Sequence, residues 1–70
     1  MKEIKFTGIN VEGFHSAFMA CMMTFGCMTL EEEQNSITIT SFNDGDDEII
    51  IDTMKEVGCR VAYCRPPQID

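Results

Sequence analysis

Four cysteines, one histidine and two acidic runs are the side chains here that could do chemistry. Cys21, Cys27, Cys59 and Cys64 contain no C-x-x-C pair. Soft ions such as Cu(I) or Zn(II) need several converging thiolates. A metal site would therefore draw on Cys21 with Cys27, or on Cys59 with Cys64. Met19-Ala20-Cys21-Met22-Met23 adds soft sulfur at helical spacing, but no second segment supplies further ligands, and Met commonly fills gaps in a core. His15 is the only histidine. A catalytic base needs a nucleophile and an orienting group beside it, and nothing marks Cys59 or Cys64 as activated. The expectation is a chain without catalytic residues, resident metal or cofactor.

The carboxylates say more. Glu31-Glu32-Glu33 forms one run and Asp44-Gly45-Asp46-Asp47-Glu48 the other. A calcium loop needs ligands at alternating positions and a terminal bidentate Glu, and neither run has them. Asp52 and Glu56 extend the acidic character beyond the second run. These residues read equally as solvated turns with an acid-rich helix start and as phosphate-like charge shown to a nucleic-acid-binding protein. The net charge is −7, from 12 acidic and 5 basic residues. That disfavours direct nucleic-acid binding, which rests on Lys and Arg at phosphates. It equally disfavours anionic membranes.

Seventy residues make one domain, and a domain this small must use its large apolar side chains efficiently. Residues 1–65 are read as that domain and 66–70 as a tail opened by Pro66-Pro67. No apolar run reaches the ~18 residues of a membrane span. MKEIKF lacks the basic flank and apolar block of a secretion signal. The expected location is the cytoplasm, where thiols stay reduced.

The elements follow from hydrophobic spacing. Asn10–Gly26 carries Val11, Phe14, Phe18, Cys21, Met22 and Phe25 on one helical face. Asn10 is the expected N-cap, Glu12 a first-turn acid, and Gly26 the left-handed end. Glu3–Thr7 alternates as a half-buried strand, with Ile4 and Phe6 inward. Cys27–Glu32 alternates next, with Met28 and Leu30 inward against Thr29 and Glu31. Glu33-Gln34-Asn35 connects it to Ser36–Phe42, where Ile37 and Ile39 face in. Glu48–Val57 fits a helix capped by Asp46 or Asp47 and closed by Gly58; its Ile49-Ile50-Ile51 triplet also suits a strand. Cys59–Cys64 ends the order, with Val61 and Tyr63 on one side. Strand-helix-strand-strand-helix-strand, joined by right-handed crossovers, predicts an α+β ferredoxin-like split βαβ sandwich. Four antiparallel strands would carry two helices on one face and Lys5, Thr7, Thr29, Thr38 and Thr40 on the other.

LEEEQNSITIT (30–40) resembles the second hairpin of heavy-metal-associated domains. DDEIIIDTMKEVGCRV (46–61) resembles their second helix, closing glycine and last strand, and Gly8-Ile9 stands where they have Gly-Met. This resemblance implies the same fold. It implies no metal transfer, because Val11 and Phe14 occupy the positions of that family's two thiolates.

Met19 and Met23, with Ser16 and Ala20, fall outside the first helix's apolar stripe, and Ile49 falls outside the second's. Exposed apolar groups of this kind mark partner surfaces or a homodimer contact. In size and charge the chain resembles the small acidic inhibitors that phages encode, anti-CRISPR proteins above all. That resemblance implies a non-catalytic DNA mimic, acting in the cytoplasm of the host cell on a basic Cas effector subunit, as monomer or homodimer. Its partner surface would be Glu31, Glu32, Glu33, Asp44, Asp46, Asp47, Glu48, Asp52 and Glu56, with Met19, Met23 and Ile49. The alternatives are a metal-binding domain using Cys and Met ligands, and an oligomerisation or regulatory module.

Overall fold

The computed structural model describes residues 2–40 and 42–66. Six elements appear in the expected order: β1 (Glu3–Thr7), α1 (Phe14–Phe25), β2 (Met28–Glu32), β3 (Ser36–Thr40), α2 (Asp46–Glu56) and β4 (Arg60–Arg65). The strands form one antiparallel sheet in the order β2-β3-β1-β4. The helices pack on each other and share one core with Ile4, Phe6, Ile37 and Ile39 of the sheet. Both therefore cover the same sheet face, giving the ferredoxin-like α+β sandwich. Of the expected tail, residues 67–70 lie outside the described residues.

β-branched Ile and Thr alternate along β3, which suits a pleated central strand. Its inward Ile37 and Ile39 lie opposite Phe6 and Ile4 of β1. From above, Phe14, Phe18, Met22 and Phe25 of α1 close on this floor around buried Cys21, while α2 contributes Ile50 and Met54. The inward face expected of the first helix is thus the observed one over Phe14–Phe25. β3 spans Ser36–Thr40; of the expected Ser36–Phe42 strand, residue 41 lies outside the described residues, and Phe42 is buried but not in the strand.

Two helix starts differ from expectation. α1 begins at Phe14, behind Gly13 in a left-handed conformation (φ 89°), and no side chain caps it. Asn10 is spent elsewhere: its Nδ2 donates to Asn35 Oδ1 at 3.1 Å, tying this loop to the β2–β3 hairpin. Glu12 accordingly precedes the helix. α2 likewise begins behind left-handed Gly45, so Asp46 and Asp47 occupy its first turn and do not cap it.

The end of α2 is as the sequence suggests. Gly58 N–H donates to Lys55 O at 3.0 Å and Cys59 N–H to Met54 O at 3.1 Å, the paired bonds of a Schellman ending. Gly58 has φ 105°. Gly58→Ala is expected to lower stability by about 1–2 kcal/mol through backbone strain, as read by urea denaturation. A Cβ there would meet nothing closer than Val11 Cγ1 at 3.6 Å. An unchanged midpoint would contradict that backbone geometry.

Two strands break strict alternation. In β2 the pairing passes from Thr29↔Ile39 to Glu31↔Thr38, leaving Leu30 as an extra residue. Met28, opposite Thr40, therefore lies on the open sheet face, and Thr29, opposite Ile39, on the helix side. That reverses the expected facing of this end of the strand. Met28 and Leu30 are 61% and 59% exposed. In β4 the pairing passes from Lys5↔Tyr63 to Phe6↔Val61, leaving Ala62 extra. Val61 and Tyr63, expected on one side, consequently point to opposite faces. Among the described residues, no helix is long and apolar enough to cross a membrane.

Candidate functional site

α2 buries Ile50 and Met54 and turns Glu48, Asp52 and Glu56 to solvent. The three acids recur every fourth residue, so they form one stripe with steps of ~6 Å along the axis. Like charges at this spacing repel by a few tenths of a kcal/mol per pair, so stability alone does not favour them. None has an ion pair among the described residues. Ile49, exposed, stands beside the stripe, and Asp46 is half-buried in the first turn. On α1, Ser16, Met19, Ala20 and Met23 are exposed, Met23 at 81%. Asp46 lies near enough to Cys27 to help raise its thiol pKa, so the end of α1 adjoins the start of α2. Met23 and Ile49 therefore sit at the same end of the helix layer.

Asp47 does not join this surface. It is buried, with Lys2 Nζ 3.2 Å from Oδ2, and the Cys64 thiol donates to the same oxygen at 3.9 Å. The Lys2 hydrogen bond, aided by its charge, holds the Asp47 carboxyl below its ordinary value. A depressed acid stabilises the fold above its unfolded pKa, ~3.9 for Asp, and that support is lost as pH falls through the folded value. Asp47→Asn should lower the thermal midpoint at pH 7 and converge with the native protein near pH 2–3. Equal midpoints at pH 7 would show the pair to be idle.

The hairpin acids divide between faces. Glu31, opposite Thr38, is on the open sheet face, whereas Glu32, opposite Ile37, is on the helix side of the edge strand. Glu33 reaches over β3 to Lys5 of β1, Oε1 to Nζ 3.7 Å. The neighbouring Glu33 carboxylate pushes the Glu31 carboxyl above its ordinary value. Asp44 lies exposed in the β3–α2 loop, at the opposite end of β3 from the hairpin, as the topology predicts. The acidic residues foreseen as one partner surface thus fall into a helix-layer set (Glu48, Asp52, Glu56) and a sheet-face set (Glu31, Glu33).

Three of the four thiols are packing groups here. Cys21, Cys27 and Cys59 are buried and free; Cys64 is free and exposed. Burial raises all four thiol pKa values, that of Cys27 to about 11. Thiols so shifted are poor nucleophiles at neutral pH. Among the described residues, no three His, Cys, Asp or Glu side chains come together as a metal-ligand group. His15 is exposed.

Sequence reasoning missed a cluster on β4. Arg65 lies over the Tyr63 ring, its Cζ 4.0 Å from the centroid, and its Nε donates to Glu3 Oε1 at 3.3 Å. Arg60 lies on the same face, opposite Thr7. The signal was three large polar side chains near a sheet edge, and the bulge at Ala62 hid it. No family model, curated protein or solved structure matches this chain.

Proposed function

We propose that this chain is a small, acidic, non-catalytic binding protein whose helix layer occupies a basic surface of a nucleic-acid-handling protein and blocks nucleic-acid access. What supports the reading is the α2 stripe: Glu48, Asp52 and Glu56, exposed and without ion pairs among the described residues, with Ile49 and Met23 at one end. The carboxylates steer and orient the encounter, and the apolar groups supply area that is dehydrated on contact. The mode of action is that of an anti-CRISPR inhibitor, with a Cas effector subunit as target in the cytoplasm. The chain itself neither contacts nucleic acid nor makes bonds.

The test is a mobility-shift competition. Added protein should release labelled target DNA from a Cas effector complex, less so as salt rises, because the contacts are charged. Release that is unaffected by salt, or by reversal of the α2 stripe, would overturn the reading.

A further inference from the structure

The open sheet face differs electrostatically from the rest of the molecule. It carries three acids, Glu3, Glu31 and Glu33, and three bases, Lys5, Arg60 and Arg65. The face is neutral, so the whole net charge of −7 lies elsewhere. It is also polarised, with Glu31 and Glu33 towards β2 and both arginines on β4.

The pairing arranges these side chains in rows across the sheet. One row begins with Met28 opposite Thr40 on one side of the sheet, and Glu3 opposite Arg65 closes it on the other. The next runs Glu31, Thr38, Lys5, Tyr63. The last runs Glu33, whose N–H bonds Ser36 O at 2.8 Å, then Ser36, Thr7 and Arg60. Ser36 and Thr38, in the middle, are already buried in the single chain, so covering them again strips little water.

We infer that two copies of this chain associate through their open sheet faces, about a twofold axis parallel to the strands. Such an axis reverses position across the sheet and keeps position along it. β2 then lies over β4 of the second copy, and every contact occurs twice, as a closed dimer requires. Glu33 meets Arg60 of the second copy, Glu31 meets the phenol of Tyr63, and Met28 rests on the Arg65–Tyr63 stack. An axis across the strands would instead set β2 on β2 and bring four carboxylates together. A contact through the acidic stripe of α2 would set Glu48, Asp52 and Glu56 against their own copies. The chosen arrangement is the aligned packing of two sheets, ~10 Å apart.

Four strands of five residues span roughly 19 by 17 Å. That is small against the ~800 Å² per partner of a standard interface, so the dimer is weak and concentration-dependent. It leaves both helix layers outward, so it is compatible with the proposed function without depending on it.

Sedimentation velocity over a micromolar-to-millimolar series tests the inference. The native chain should dimerise, more weakly at high salt. Arg60→Glu and Glu33→Arg should each weaken the dimer by about tenfold or more, and the double exchange should recover most of the loss, since a charge pair is restored. Both positions are exposed, and circular dichroism checks that each variant is folded. A native chain that stays monomeric throughout would overturn the inference, as would single variants that dimerise normally or a double exchange no better than the singles. A dimer lost in Met23→Asp but kept in Arg60→Glu would place the contact on the helix layer and overturn it too. Arg60→Glu and Glu33→Arg leave the helix layer untouched, so the DNA-competition result of these two variants stands or falls separately.

Discussion

Phe6→Ala should remove about 3–5 kcal/mol of stability and leave a population of unfolded chains at room temperature. Phe6 is fully buried, the largest side chain to be so, and β1 lies between β3 and β4. Its ring therefore lies away from both sheet edges, in the core that both helices share. A chain of this length holds only about 4–10 kcal/mol in total, so one truncation takes a large share. Urea denaturation followed by circular dichroism gives the number. A loss below about 1 kcal/mol would mean that the core is not centred on β1. Met23→Ala is the contrast: that side chain is exposed, and its removal should leave the midpoint unchanged.

That contrast follows the boundary between what the sequence reveals and what it hides. Ile4/Phe6 and Ile37/Ile39 alternate cleanly, and the Phe14–Phe18–Cys21–Met22–Phe25 spacing marks one helical face. Burial selects these patterns directly, so the sheet, both helices and their order were legible. The bulges at Leu30 and Ala62 were not. An extra residue in one strand depends on the partner's register, and neither site carries the glycine that sometimes betrays a bulge. Each bulge rotates the rest of its strand, which is why Met28 and Tyr63 came out on unexpected faces. The start of α1 was misplaced for a related reason. Asn10 has the chemistry of a cap, but a hydrogen bond to Asn35, distant in sequence, claims it. For the candidate site, the outward acids of α2 followed from periodicity, since Ile50 and Met54 must face in. That Asp47 turns inward could not be read, because its partner Lys2 is distant in sequence.

The same geometry sets the second large expectation. Glu48→Lys, Asp52→Lys and Glu56→Lys together should weaken binding to a basic partner by at least about 100-fold, since three attractive contacts become repulsive. The fold should survive. The three side chains are exposed and form no ion pair among the described residues, and Lys is as good a helix former as Glu. Only the change at Glu48, in the first turn, works against the helix dipole, at about 0.3–1 kcal/mol. Competition for DNA on a Cas effector, with circular dichroism as the folding check, reads the result. Reversing Glu31 and Glu33 provides the matching control. Those acids lie across the sheet from α2, so their loss should abolish self-association and leave partner binding within about threefold. If the sheet-face reversal disrupts competition while the α2 reversal does not, the partner surface lies on the opposite side of the molecule. Charge then acts through the hairpin, where Glu33 raises the pKa of the Glu31 carboxyl and a cation from the partner would relieve their repulsion.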